Sequence, residues 1–564
     1  MIKIFCKKNH DLTMFLTKFL FLFFAVLSLC WHIRVFGKKN KHIKPWKEVL
    51  LDMIERPVIE NQIIDIIDRL KGLCHTCGLS NQAAEEEIVT SVFLYKYLSD
   101  NYKMQAYKEA VRTGKSITDI FASGVDTEIE LKAEDLIDCM VRIMDRPHIA
   151  DIFDNTLIRI ASYPKNKKLS KFLDEPLFKP ITKNIEKRDE FVREILTVMN
   201  GHNIFSNGAD HFAPIFEYLI KDYNVASGRY AEYYTPGEIS RIIAKILTQD
   251  DKQKNRTIYD PSAGSGSLLL HLANELEDCS IFSQDISVKS TRLLRINMIL
   301  NGYTDSIPNI KQGDTLLNPY FTDQKYDYIV SNPPFKTDFS FTREDIAQKW
   351  ENRFPDGLPE IPKKKKESMS IYLCFIQHVL WALNEKGKAA VVVPAGFLNI
   401  KDGIEENIRK RLVMNGWLSG VIIMPRNSFA NTATKVAVLF IDKSSYHTQP
   451  VLMDASELGT LTKIGKNKKV LLSKEDIDMI VHGYFKRDTS MTVSPLLSDI
   501  ALNGYSFIPG HYMTIKNYQN LLSESEFKQK TIQFEDSYRM LCQQEKESDS
   551  DIFSVLSEIR RELC

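Results

Sequence analysis

The tetrapeptide Asn332-Pro333-Pro334-Phe335 directly follows the apolar run Tyr326–Ser331, so a strand is expected to end in a rigid turn carrying an amide, fixed carbonyls and an aromatic ring. That combination suits transfer of a group onto a planar amine. The exocyclic amine of adenine is a poor nucleophile because its lone pair is delocalised into the ring, and acceptors placed on its two hydrogens would localise that lone pair. Asn332 offers one acceptor through its side-chain oxygen and Pro333 a second through its carbonyl, while Pro333 and Pro334 restrict φ and hold both in place. Phe335 could stack on a base taken out of its helix. Asn-Pro is also an ordinary turn signal, and the tetrapeptide alone is equally compatible with that role.

Three further clusters carry chemistry. Asp260-Pro261-Ser262-Ala263-Gly264-Ser265-Gly266-Ser267 follows one candidate strand and opens a helix at Leu268, where glycines let the backbone approach a ligand. A dinucleotide fold would want a third glycine where Leu269 stands, which argues against NAD. Gln284-Asp285 closes the next strand, a position from which a carboxylate commonly takes both hydroxyls of a ribose. A nucleoside-bearing cofactor without a diphosphate is implied, although a helix N-cap is the plainer use of Asp285. Asp314, in Gly313-Asp314-Thr315-Leu316, could bind the adenine amine of that cofactor or serve only as a turn or cap. Upstream, Glu232-Tyr233-Tyr234-Thr235-Pro236-Gly237-Glu238 contains Thr-Pro-x-Glu, which is itself a good helix start.

The elements that must position these residues alternate. Thr257–Asp260, Ser280–Asp285, Tyr326–Ser331, Ala389–Pro394, Gly420–Met424 and Val436–Asp442 read as strands separated by helix-length segments. The implied fold class is α/β, a Rossmann-like, mostly parallel sheet with helices on both faces. Ligands of such sheets bind beyond the carboxyl ends of the strands, where Asp260, Asp285 and Asn332 all fall. Residues 46–205 read as an all-helical domain, with Ile88, Val92 and Tyr95 sharing one face. Residues 206–445 read as the catalytic domain, and 446–564 as a connector in which a short α/β piece from about Ser444 precedes a charged helical tail from about Ile515 for a partner.

The chain of 564 residues is 44% hydrophobic, enough for several packed domains, and its 74 basic and 73 acidic residues leave a charge of +1. Global charge therefore does not advertise nucleic acid, and any contact with it must be a local patch or belong to a partner. Nine cysteines without regular spacing suit a reducing compartment. The lone pair Cys74 and Cys77 is weak evidence for zinc or redox use, and no metal is expected. In residues 1–45, Lys3, Lys7, Lys8 and Lys18 precede the apolar stretch Phe19–Ile33, which is short for a membrane span and lacks a small-x-small cleavage site. A reading frame opened too far upstream, with Met14 or Met53 as later starts, is the preferred account of this extension, and a membrane anchor the second.

Taken in order, Tyr233-Tyr234-Thr235-Pro236, Asp260-Pro261-x-x-Gly264-x-Gly266, Gln284-Asp285, Gly313-Asp314 and Asn332-Pro333-Pro334-Phe335 resemble the amino-methylating DNA methyltransferases. More narrowly, the chain resembles the modification subunit of type I restriction-modification systems, over about residues 55 to 515. Val92–Asp100 is similar to that family's N-terminal domain and Asn503-Gly504-Tyr505-Ser506-Phe507 to its C-terminal region. The resemblance implies S-adenosylmethionine as methyl donor, held by Glu232, Tyr233, Tyr234, Thr235, Pro236, Gly237, Asp260, Ser262, Ala263, Gly264, Gly266, Asp285 and Asp314. It implies catalysis by Asn332, Pro333, Pro334 and Phe335 on the N6 amine of adenine in double-stranded DNA. Glu232 stands where Gln is common, Gly237 where a basic residue is common, and Asp285 where Glu is usual.

The family also implies a separate specificity subunit, two methyltransferase subunits for each, a restriction and translocase subunit in some complexes, and a cytoplasmic location. The competing readings are a methyltransferase acting on RNA or on a protein glutamine amide, and a non-catalytic scaffold that binds the cofactor. Phe335 in place of a common Tyr, together with the upstream Tyr-Thr-Pro element, weighs against the first. Intact Asp260, Asp285, Asp314 and Asn332 weigh against the second.

Overall fold

The structure is a computed structural model and describes residues 65–79, 83–127, 129–169, 173, 175–200, 235–249, 251–429, 435–464, 467–487, 490–513, 528–529, 531–540 and 543. Its centre is a nine-stranded sheet. The strands are β1 (Arg256–Asp260), β2 (Cys279–Asp285), β3 (Ile310–Gln312), β4 (Tyr326–Ser331), β5 (Leu383–Pro394), β6 (Leu418–Ile423), β7 (Val436–Asp442), β8 (Val451–Asp454) and β11 (Thr492–Val493), while β9 (Thr460–Ile464) and β10 (Asn467–Leu471) form a separate hairpin. The order across the sheet is β11-β8-β6-β7-β5-β4-β1-β2-β3. Pairing is parallel from β3 through β5 and between β6 and β8, with β7 inserted antiparallel between β5 and β6.

Near-continuous β-branched runs form these strands because both faces are covered. Alternate residues enter opposite cores. Ile258, Ile281, Val330, Val392 and Val438 pack beneath α4 (Gly237–Leu247), α5 (Ser267–Asn274), α6 (Val288–Leu300) and α9 (Lys474–Lys486). Tyr259, Ile329, Val391 and Leu439 face α7 (Tyr372–Ala382), α8 (Ile404–Met414) and α10 (Leu497–Leu502). Each such side chain, fully buried, contributes about 1.5–3 kcal/mol, so a one-residue slip of any central strand would forfeit many times that.

Upstream lie α1 (Ala83–Thr113), α2 (Ile149–Ser162) and α3 (Ile185–Met199), joined by an aromatic chain in which Tyr95 meets Phe153 edge-on and Phe153 meets Phe178. Ile88, Val92 and Tyr95 are all buried, as their spacing predicts. The helices are seated on α6 by polar contacts as well as by shared core. Arg292 donates to Ser91 Oγ at 3.0 Å and pairs with Glu87 at 2.9 Å, and Lys289 pairs with Glu86.

The sheet continues past residue 445, where the sequence reading ended the catalytic unit. β8 pairs in parallel with β6 and β11 closes that edge, while α9 packs against α4 with Lys245 reaching Asp478 at 3.2 Å. Strands of four and two residues are too short to show a period in the sequence. The Asn503–Phe507 segment likewise belongs to this body. Phe507 is buried and donates its N–H to the Leu398 carbonyl, and Arg409 holds the Tyr505 carbonyl. Residues 1–45 and Glu232, Tyr233 and Tyr234 lie outside the described residues. Among the described residues no helix is long and apolar enough to cross a membrane.

Candidate active site

The chain leaves β1 toward β2 and β3 and then returns to β4 on the other side of β1, so the ends of β1 and β4 flank the switch point of the sheet. Asp260 ends β1. It is almost fully buried and accepts from the Ser262 N–H at 2.9 Å. The Ser262 hydroxyl lies 2.7 Å from that of Ser331, the last residue of β4, which ties the loop after β1 to the strand that carries Asn332. Thr315 donates to the Pro261 carbonyl at 2.7 Å and Asn297 to that of Ser265 at 3.1 Å.

Two glycines turn this loop. Gly264 (φ 54°) and Gly266 (φ 86°) are both left-handed, and a Cβ on Gly266 would lie 2.1 Å from Leu294 Cδ1. The loop is then clamped by Asp285 at the end of β2. One carboxylate oxygen accepts from Gly264 N–H at 2.8 Å and the other from Ser287 N–H at 2.8 Å, just before α6. The N-cap of α6 is Ser287 rather than Asp285, whose carboxylate instead closes the turn before the helix and holds the glycine loop. Each oxygen keeps a second lone pair for a ligand hydroxyl.

Asp260 and Asp285 are both buried carboxyls, and Asp285 lies near enough to act on Asp260. Burial pushes the Asp260 carboxyl well above its ordinary value, and the charge of Asp285 adds to the push. Burial raises Asp285 as well, opposed by its two backbone donors. Burial disfavours the charged form of both carboxyls in the free protein, and a ligand that brings positive charge would favour it.

Asn332 stands beside that cleft. Its Nδ2 donates to the Thr235 hydroxyl at 3.1 Å, and Thr235 is itself buried immediately before Pro236, which caps α4, and Gly237, which begins it. Pro333 is buried and Phe335 half-buried, its ring edge-on to Tyr372 at 6.2 Å. Thr235, Asp260, Ser262, Ala263, Gly264 and Asn332 line one cavity, together with Ser265, Ser267 and Leu268. Of the expected residues, Pro236, Gly237, Gly266, Asp285, Asp314, Pro333, Pro334 and Phe335 do not line it. Asp314 accepts from the N–H groups of Leu316 and Leu317 at 2.9 and 3.1 Å, so it caps its own turn.

Sequence reasoning missed the support beneath Asp314. Arg353 is 1% exposed and donates to the carbonyls of Thr315 (3.2 Å) and Leu316, with its guanidinium against the rings of Trp350 and Phe354. It lies 3.5 Å from His378 Nδ1, and His378 Nε2 lies 3.2 Å from the hydroxyl of Tyr259, the neighbour of Asp260. Burial lowers Arg353 to about 10, which still leaves it charged at neutral pH, and holds His378 neutral. Nothing local in the sequence marks this network, because its members are up to 119 residues apart. Among the described residues no group of three or more His, Cys, Asp or Glu could hold a metal, and Cys74 and Cys77 are free thiols.

The chain is 26% identical over 456 residues to the methylase subunit of the type I restriction enzyme MpnII from Mycoplasma pneumoniae, covering 75% of this chain and 79% of that one. Its fold is similar to the solved methyltransferase subunit of a type I restriction-modification system from Streptococcus thermophilus, with a TM-score of 0.63, 20% identity, and 81% and 99% of the two chains covered. It is also similar to a modification subunit of a putative type I restriction enzyme from Vibrio vulnificus (TM-score 0.54, 17% identity, 78% and 93% covered). Residues 207–520 match the N-6 DNA methylase family, more than half of the chain, so the protein belongs to that family and is an adenine-specific DNA methyltransferase.

Proposed function

We propose that the chain is the modification subunit of a type I restriction-modification complex and that Asn332 and Pro333 hold the target amine for methylation. The pairing of Asn332 with Thr235 at the rim of the Asp260 cleft is the observation that carries this reading. Bound S-adenosylmethionine supplies an electrophilic methyl group on a sulfonium. Asp260 would face its positive charge, Ser262 to Gly264 its main chain, Asp285 its ribose and Asp314 the edge of its adenine. By the family resemblance Glu232, Tyr233 and Tyr234 would also hold the cofactor.

The chain's own groups then work by position. With Nδ2 committed to Thr235, the Asn332 oxygen is left to accept one hydrogen of the target amine, and the Pro333 carbonyl accepts the other. Phe335, braced by Tyr372, offers a ring face to the displaced base. The amine becomes strongly acidic as it is methylated, and its proton passes to solvent, so no dedicated base is assigned. Binding in a defined geometry does most of the catalysis.

Sequence choice is assigned to a separate specificity subunit, two methyltransferase subunits to each, because specific recognition needs a sizeable base-reading surface. A restriction and translocase subunit would join the same assembly. We further propose a catalytic unit that begins near residue 206 and includes β8 and β11, a helical domain over 46–205, and a partner-binding tail at the end of the chain. In that tail Phe534, Tyr538 and Met540 are exposed. A cytoplasmic location fits the free cysteines. Labelled donor offered with unmodified DNA, RNA and ribosomal protein tests the substrate class: label is expected in DNA alone, and label in RNA or protein would replace this reading.

A further inference from the structure

The segment after the tetrapeptide is an ordered loop with its own support. Its ends are drawn together where Thr337 N–H donates to the Met369 carbonyl at 3.1 Å. Inside, Phe339, Ile346, Phe354 and Met369 are buried with Leu316. Trp350 Nε1 donates to the Leu317 carbonyl at 2.9 Å, and Arg353 holds the carbonyls of Thr315 and Leu316, so the loop is fastened to the turn that carries Asp314.

This support presents a side chain that it does not use. Phe341 is 89% exposed, six residues beyond Phe335 and therefore within about 20 Å of it, less than a duplex diameter. Lys366 Nζ lies 5.5 Å from the centre of the Phe341 ring, which brings the exposed run Lys363–Lys366 beside it, and Lys336 is exposed in the same loop. Lys365 is held in the left-handed region at φ 59°, a conformation that costs a non-glycine residue energy and persists only where the surroundings impose it. Exposed acidic residues of the same segment are Asp338, which accepts from Ser340, Glu344, which pairs with Arg343, Asp345, Glu360 and Glu367.

A lone exposed aromatic on a protein surface needs no explanation. An aromatic on a braced loop, interleaved with lysines and adjoining a site that must receive a base from a duplex, has the composition of a nucleic-acid contact. Removing adenine from the stack leaves a gap, and apolar side chains inserted at base steps are a recurrent way to hold such a distortion open. We propose that Phe341 enters the duplex at the position vacated by the target adenine while Lys336 and Lys363–Lys366 engage the flanking phosphates. This rests on the reading above that the chain methylates adenine in double-stranded DNA.

The test uses the full chain with the subunits it co-purifies with and a short duplex carrying the site methylated in cells, with the target adenine either paired or facing an abasic position. Phe341→Ala should slow single-turnover methylation of the paired duplex about tenfold and change the abasic-partner duplex less than about twofold, since that adenine is already unpaired. Replacing Lys363–Lys366 by Gln should reduce the slope of log affinity against log salt by about three to four, with cofactor affinity unchanged. Equal rates for Phe341→Ala and parent on the paired duplex would overturn the insertion, as would an equal loss on both duplexes, which marks a merely structural side chain. An unchanged salt slope would overturn the phosphate contacts. A parent complex that methylates neither duplex would overturn the DNA-adenine reading first, and this one with it.

Discussion

Asn332 Nδ2 and Thr235 Oγ1 lie 3.1 Å apart although 97 residues separate them in the chain. The bond joins the tetrapeptide to the start of α4 and decides which end of the amide faces the cleft. An amide whose NH₂ is already engaged presents its oxygen, and an oxygen is what a target amine needs.

Thr235 is therefore predicted to govern turnover more than binding. Thr235→Val keeps the shape but removes the acceptor, leaving the amide free to turn, and should lower kcat for DNA about tenfold to a hundredfold with KM for S-adenosylmethionine within about threefold. Thr235→Ser should restore most of the loss. Steady-state kinetics on both substrates separates these outcomes, and a Thr235→Val enzyme with parental kcat would remove the orienting role.

Asp260 gives the cofactor affinity a pH dependence. Burial and Asp285 raise its carboxyl above the ordinary 3.8 in the free protein, whereas a cationic ligand favours the carboxylate, so binding releases a proton. Affinity should therefore strengthen as pH rises toward the raised value and level off above it. The stability of the free protein runs the other way. The contribution of protonated Asp260 is complete below 3.8 and is lost as pH rises through the raised value. Calorimetric titration from acidic to neutral pH should show the strengthening in the parent and a weaker dependence in Asp260→Asn, where Asp285 alone remains raised; a flat parent profile contradicts it.

Gly266→Ala should destabilise the fold by about 2 kcal/mol. The left-handed φ of 86° opposes any side chain there, and the added methyl meets Leu294 at 2.1 Å. Leu294 can give way only by disturbing its neighbours in the core. Denaturant midpoints measure this, and an unchanged midpoint would show that the loop relaxes freely.

Arg353 should act through the turn that carries Asp314. Removing it frees two buried carbonyls but also relieves a buried charge, so its effect on stability is a difference of similar quantities. The clearer readout is kinetic: Arg353→Met should raise KM for S-adenosylmethionine about tenfold with kcat changed less than about threefold. Arg353→Lys should not rescue it, because one ammonium cannot reproduce the guanidinium fork. A loss confined to kcat would place Arg353 elsewhere in the mechanism.

Much of this arrangement was legible in the chain because the fold writes it locally. The apolar runs at Tyr326–Ser331 and Val436–Asp442 are buried on both faces, and Asp260, Asp285 and Asn332 stand at or directly after the ends of their strands in sequence. A short α/β piece was legible beyond Ser444, but β8 and β11 could not be delimited because four and two residues cannot display a period, and their pairing with β6 and with each other makes them part of the main sheet. Asp285 shows the limit of position-by-position reading. Its place at the end of β2 was evident, but its bond to Gly264 is a relation between two loops. Arg353, His378 and Tyr259 were missed for the same reason, since none is unusual until folding brings them together.

The role of Asn332 is tested most directly by methyl transfer to DNA from the purified Asn332→Ala complex, measured beside its affinity for S-adenosylmethionine. Loss of one acceptor, with Pro333 left to hold the amine alone, should reduce single-turnover transfer at least about a hundredfold while cofactor affinity stays within about threefold of the parent. Transfer at the parental rate by a folded, cofactor-bound Asn332→Ala complex would contradict the account.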